Sequence, residues 1–130
     1  MNNEKLLLRQ IHPHFIQGSK ASVGAFEAGA IAFTPNRNDN GKLSVYNGTK
    51  YSPKESFEHY EGFKGKDKTG GVMGVADSEC QSLTLPTTED NDPFDGHSYI
   101  DFVGKDDKQQ KDCAKELKRI AHLRGWLYRP

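Results

Sequence analysis

The stretch from Asp106 to Arg124 constrains this chain more than any other. It is built of strong helix formers, with carboxylates at its start and cations at its end, an order that suits the helix dipole. Gly125 stops it. Cys113, Leu117, Ile120, Ala121 and Arg124 fall at i, i+4, i+7, i+8 and i+11, a narrow apolar stripe along one face. A helix with one such stripe has to lay it on another layer, and the rest of the chain supplies mostly short strand signals.

Lys42 to Tyr46 alternates, with Leu43 and Val45 on one face and Ser44 and Tyr46 on the other. Val72 to Ala76 is a short apolar run. Leu83-Thr84-Leu85, ended by Pro86, and His97 to Val103 read as further strands. Residues 23–34 are rich in glycine and alanine, and Ile31 to Phe33 is their best strand. Residues 3–11 fit a short helix or the lead into a first strand. Ser52-Pro53-Lys54-Glu55 is a helix start: Ser52 as N-cap, Pro53 at N1 and Glu55 at N3 to close a capping box. Two to three turns are expected before Gly62 stops them. Asp77 to Ser82 suits one helical turn, and Trp126-Leu127-Tyr128 an apolar clip against the core. Turns or loops are expected at Gly18–Ser22, Pro35–Gly41, Asn47–Gly48 and Phe63–Gly71.

The helices are separated by two or three strands and do not alternate with them one for one. The expectation is therefore an α+β fold, one domain over 1–130. A mixed or antiparallel sheet of about four to five short strands would pack on the long C-terminal helix and one short helix. A chain of 130 residues buries enough surface for one core without staples. Only 34% of it is hydrophobic, but phenylalanines and tyrosines are spread along its length, which argues against wholesale disorder.

Eighteen Lys and Arg balance eighteen Asp and Glu, so the whole chain lacks the basic footprint of a nucleic-acid binder. The charge is segregated instead. Glu89, Asp90, Asp92 and Asp95 form an acidic loop. Lys111, Lys115, Lys118, Arg119, Arg124 and Arg129 outweigh Asp112 and Glu116 at the end. Such a dipolar surface suits a protein partner. Cys80 and Cys113 are not clustered and read as two free thiols in a reducing cytosol. The leucine run at Leu6–Leu8 is too short for a signal peptide or a membrane span, so a soluble cytoplasmic protein with no membrane partner is expected.

Candidate chemistry is sparse. His12-Pro13-His14 presents two imidazoles in parallel on an extended backbone, competent for a metal if His97 and Asp101 supply further ligands. The alternative is a polar turn at the chain entry. His97 and Asp101, i and i+4 on one strand face, are the candidate catalytic pair, with Asp101 orienting the base; His97 also fits a plain strand end. The acidic loop fails the calcium-loop pattern, because Asp95 stands where an EF-hand needs glycine and Asp101 where it needs glutamate. It remains a candidate surface for a basic partner. Gly65-Lys66 lacks the glycine and hydroxyl of a phosphate-binding loop, although Lys64, Lys66 and Lys68 are placed to contact phosphates. Cys80 at a helix start suggests a nucleophile, against a buried inert thiol. Lys115, Lys118 and Arg119 are the candidate nucleic-acid contacts on the last helix, whose Asp112 and Glu116 also suit a solvated face of internal pairs.

No catalytic motif is complete. One compact domain of segregated charge points first to a protein-interaction module: an adaptor, regulatory or immunity-type subunit. A histidine- or metal-dependent hydrolase or nuclease is the second expectation, and nucleic-acid binding through the basic helix the third. No cofactor is assigned.

Overall fold

The computed structural model describes residues 5–12, 16–17, 27–28, 30–35, 41–64 and 69–130. Its strands are β1 (Leu6–Gln10), β2 (Ile16–Gln17), β3 (Glu27–Ala28), β4 (Lys42–Asn47), β5 (Val72–Ala76), β6 (Thr87–Thr88) and β7 (His97–Asp101). Its α-helices are α1 (Pro53–Lys64), α2 (Asp77–Ser82) and α3 (Asp107–Arg124), with a 3-10 turn at Ala30–Phe33. Five strands form one antiparallel sheet in the order β5-β1-β4-β7-β6, and β2 pairs with β3 apart from it. The architecture is α+β, as the spacing of helices and strands predicts.

Alternation along the strands builds two unlike faces. Leu7, Leu43, Val45, Met73, Val75 and Ile100 point to one side, where Ala114, Leu117 and Ala121 of α3, Cys80 of α2, and Ala32 and Phe33 of the 3-10 turn cover them. Leu8, Tyr46 and Val72 point to the other side, covered by Phe57 of α1 and flanked by Tyr51, Tyr60, Phe94 and Tyr128.

The helix boundaries follow from capping. Glu55 N–H donates to Ser52 Oγ at 3.1 Å, and Ser52 N–H donates to Glu55 Oε1 at 2.8 Å, the reciprocal box that the sequence predicts. Asp106 and Gln109 close the same box at the head of α3, at 2.8 and 2.9 Å. Gly125, at φ +87°, ends α3 with its N–H on the Ala121 carbonyl. The C-terminal clip docks on the free edge of β5, where Val72 bridges Tyr128.

Of the two readings of residues 3–11 the strand holds, over Leu6–Gln10, because Leu7 and Leu8 are buried on opposite faces. Several other expectations are corrected. Ile31–Phe33 belongs to a 3-10 turn; the Ala32 carbonyl accepts from the Arg9 guanidinium at 2.9 Å instead of a strand partner. The same guanidinium donates to the Ser44 carbonyl at 2.9 Å, just beyond the β1–β4 pairings at Leu7–Asn47 and Leu8–Tyr46. Leu83–Leu85 is the C-cap of α2. Leu85 N–H reaches back to the Cys80 carbonyl and Thr84 N–H to that of Gln81, with Thr84 at φ +56°. That is a Schellman motif, and the alternating leucines mimic a strand because Leu85 packs back into the core with Cys80. The strand here is the shorter β6, two residues on. Helix α1 passes Gly62 and ends at Lys64. Strand β7 stops at Asp101, whose carboxylate accepts from Val103 N–H at 2.8 Å and turns the chain. The turn at Gly18–Ser22 lies outside the described residues. No helix among the described residues is long and apolar enough to cross a membrane.

Candidate functional site

His97 stands on β7 opposite Tyr46 of β4. Its Nδ1 lies 2.6 Å from Asp90 Oδ1. Asp101 shares its strand face but lies about 13 Å along the strand, and its carboxylate is engaged by Val103 N–H. The orienting carboxylate is therefore Asp90, brought back by the 89–96 loop. Asn91 closes this loop: its N–H donates to the His97 carbonyl at 3.0 Å, and its Oδ1 accepts from Gly96 N–H at 2.9 Å. Gly96 sits at φ +95°, and a Cβ there would come within 2.4 Å of Tyr51 Cε2, so the loop can lie against Tyr51 only with glycine at this position.

Rings fill the space between loop, sheet and α1. The Phe94 ring is centred 4.6 Å from that of His59 and 5.4 Å from that of His97. Tyr46 Oη shares a 2.8 Å hydrogen bond with His59 Nδ1, and Tyr51 Oη donates to the Asp95 carbonyl at 3.0 Å. Burial, with smaller contributions from Tyr51 and Tyr60, pushes the Tyr46 hydroxyl well above its ordinary pKa, so it stays neutral. The Asp90 carboxylate favours the tautomer of His97 that is protonated on Nδ1, leaving Nε2 as the basic nitrogen. With only 13% of its side chain exposed, His97 is chiefly a clamp on the loop.

His12 is held at the far end of α1, its Nε2 3.0 Å from Tyr60 Oη. His14 lies outside the described residues. From the β1–β4–β7 register, two strand spacings and four residues of rise separate His12 from His97, about 16 Å between Cα atoms. That is too far for one metal. No group of three or more His, Cys, Asp or Glu among the described residues is placed to hold a metal ion.

The acidic loop is largely engaged within the chain. Glu89 pairs with Lys5, Asp90 with His97, and Asp95 with Lys50 at 2.7 Å. Asp92 alone of the four has no cation partner among the described residues. Cys80 is fully buried, and burial pushes its thiol up to about 12, which suits an inert core thiol and not a nucleophile. The residues of the Gly65–Lys68 loop lie outside the described residues.

The second group of candidates lies on the outer side of α3. Lys108 pairs with Asp112 at 3.2 Å and Arg119 with Glu116 at 2.9 Å, while Lys111, Lys115 and Lys118 form no ion pair among the described residues. Lys115, Arg119 and Leu123 follow at i, i+4 and i+8, which sets them side by side on one face. Leu123 is 77% exposed. Beside it, Ile120, Arg119, Arg124 and Glu79 line an open groove of about 370 Å³ between the end of α3 and α2. One wall is fixed. Arg124 donates from Nη1 and Nη2 to both Glu79 oxygens, at 3.0 and 3.1 Å, and from Nη1 to the Gly74 carbonyl at 3.2 Å. Glu79 also accepts from Ala76 N–H at 2.6 Å. Burial opposes its charge, but these bonds outweigh it and hold the carboxyl below its usual range.

Sequence reasoning singles out Lys115 and Arg119 but misses Glu79 and Leu123. Glu79 gives no local signal, because Arg124 reaches it across the fold. Leu123 gives one: it stands off the apolar stripe of the helix. No family model, curated protein or solved structure matches this chain.

Proposed function

We propose that this protein acts by binding another protein, and that the outer end of α3 is the docking surface. Leu123 carries the reading. A leucine this exposed is unremarkable when isolated, but this one stands beside half-buried Ile120 in a groove with one wall held rigid by Arg124 and Glu79. Arginine is enriched at interface hot spots, and a wall ordered in advance lowers the cost of binding. The aromatic cluster on the opposite face supports a different role, because its polar groups are engaged within the chain. Phosphate binding fits the α3 surface less well, since Glu79, Asp112 and Glu116 are interleaved with its cations and the groove has no aromatic side chain for a base to stack on.

Gel filtration of the protein at native level from its own cells, beside the purified chain, tests this. A stoichiometric complex is expected, well above the 14.6 kDa of one chain, and Leu123→Asp should return it to the size of the purified protein. A wild-type chain that runs alone, or a complex indifferent to Leu123→Asp, would remove the proposal.

A further inference from the structure

We infer that the segment seated on this surface is acidic and carries an aliphatic anchor; the inference rests on the docking reading above. The groove supplies the apolar half of the argument, since Ile120 and Leu123 would close over one side chain of matching kind. The cations around it supply the other half. Among the described residues, Lys115 and Lys118 have no carboxylate partner. Among the described residues Arg119 is held only by Glu116, a surface pair with both side chains about half exposed, and such pairs are weak enough to yield to an incoming carboxylate. Arg124 is different: two bonds to Glu79 and one to a backbone carbonyl keep it in the wall. A bound segment therefore meets exchangeable positive charge on the Lys115 and Arg119 side and a fixed, internally neutralised rim on the α2 side. Carboxylates belong on the first side, with the aliphatic residue next to them toward α2. Nucleic acid would use the same cations but leave Leu123 and Ile120 uncovered.

A randomised peptide library displayed on phage, selected on the folded wild-type chain and counter-selected on Leu123→Asp, tests the chemistry. Position 123 is exposed, and far-ultraviolet circular dichroism will show that the variant is folded. The enriched peptides should share aspartate or glutamate beside one leucine, isoleucine, methionine or phenylalanine. As synthetic peptides they should bind more weakly as salt rises. Leu123→Asp should weaken them at least about 30-fold, the scale of a hot spot, and Lys115→Glu with Arg119→Glu about tenfold. Enriched peptides without carboxylates would overturn the acidic partner and leave the docking surface standing. Enrichment no better than on Leu123→Asp would overturn both. So would duplex DNA that binds through Lys115 and Arg119 with no dependence on Leu123.

Discussion

The two faces of the sheet are covered by different chemistry. On the α3 side, Leu7, Leu43, Met73, Ile100 and Leu117 pack as aliphatic volume. On the α1 side, Tyr46, Tyr51, His59, Phe94 and His97 pack as rings with aligned polar tips: hydroxyl to imidazole, hydroxyl to carbonyl, imidazole to carboxylate. The first face fails when volume is removed. The second depends on directional bonds and fails when one atom is moved or one proton is lost. The docking surface proposed at Leu123 lies on the back of the first layer.

Removing volume is the strongest way to break this contrast. Leu117→Ala should lower the free energy of unfolding by about 2–5 kcal/mol, read by urea denaturation. A loss well under that range would mean that the α3 layer is loosely packed. On the ring face, Gly96→Ala should cost about 1–3 kcal/mol from backbone strain alone, and more from the contact with Tyr51. An unchanged urea midpoint would show that the 89–96 loop does not depend on its closure against the rings.

Alkaline pH reaches a buried group on each face. The Tyr46 hydroxyl is raised from its ordinary value of 10.0, mainly by burial. Its contribution is therefore full below pH 10 and is lost as pH rises from there toward the folded value. Cys80, raised from 9.0 to about 12 by burial, adds a similar loss that begins near pH 9. Denaturation at pH 8 and at pH 10.5 should show wild type losing stability and Tyr46→Phe losing less of it. Near neutrality that variant should cost about 1 kcal/mol for the missing bond to His59. Equal losses in both proteins would show that Tyr46 is not protected. In acid the sign reverses for Glu79: its lowered carboxyl supports the fold above its ordinary 4.5, and the support fades as pH falls below that. The smallest effect belongs to Thr84, a β-branched residue at φ +56°. Thr84→Gly should gain about 0.5–1 kcal/mol despite losing the 2.8 Å bond from Lys105, and a loss would mean that this bond outweighs the strain.

The parts of the fold legible in the sequence were those written in local chemistry. The Ser52–Glu55 box, the acids that open the last helix, the Gly125 stop and the alternation of Leu43 to Tyr46 each place their own element. Leu83–Leu85 misleads because a Schellman cap and a short strand share one alternation of apolar residues, and only long-range burial of Leu85 tells them apart. Gly62 misleads because a glycine inside a helix costs only about 1 kcal/mol, while Phe57 and Tyr60 anchor the preceding turns to the sheet. The candidate site was half legible. Lys115 and Arg119 stand out as charge, but Glu79 meets Arg124 only through the antiparallel sheet that brings α2 beside α3. His97 is recognisable as a histidine that needs a carboxylate. Its partner is seven residues back across a loop, not four residues on along the strand, because a strand carries Asp101 away while the loop returns Asp90.

Photocross-linking in the native cells is the most direct test of the docking surface, with benzoylphenylalanine placed at position 123 or, as a control, at exposed Lys54 on α1. A single discrete adduct from position 123, and none from position 54, is the predicted result. No adduct from position 123, or the same adduct from both, would contradict the assignment of partner binding to the outer end of α3.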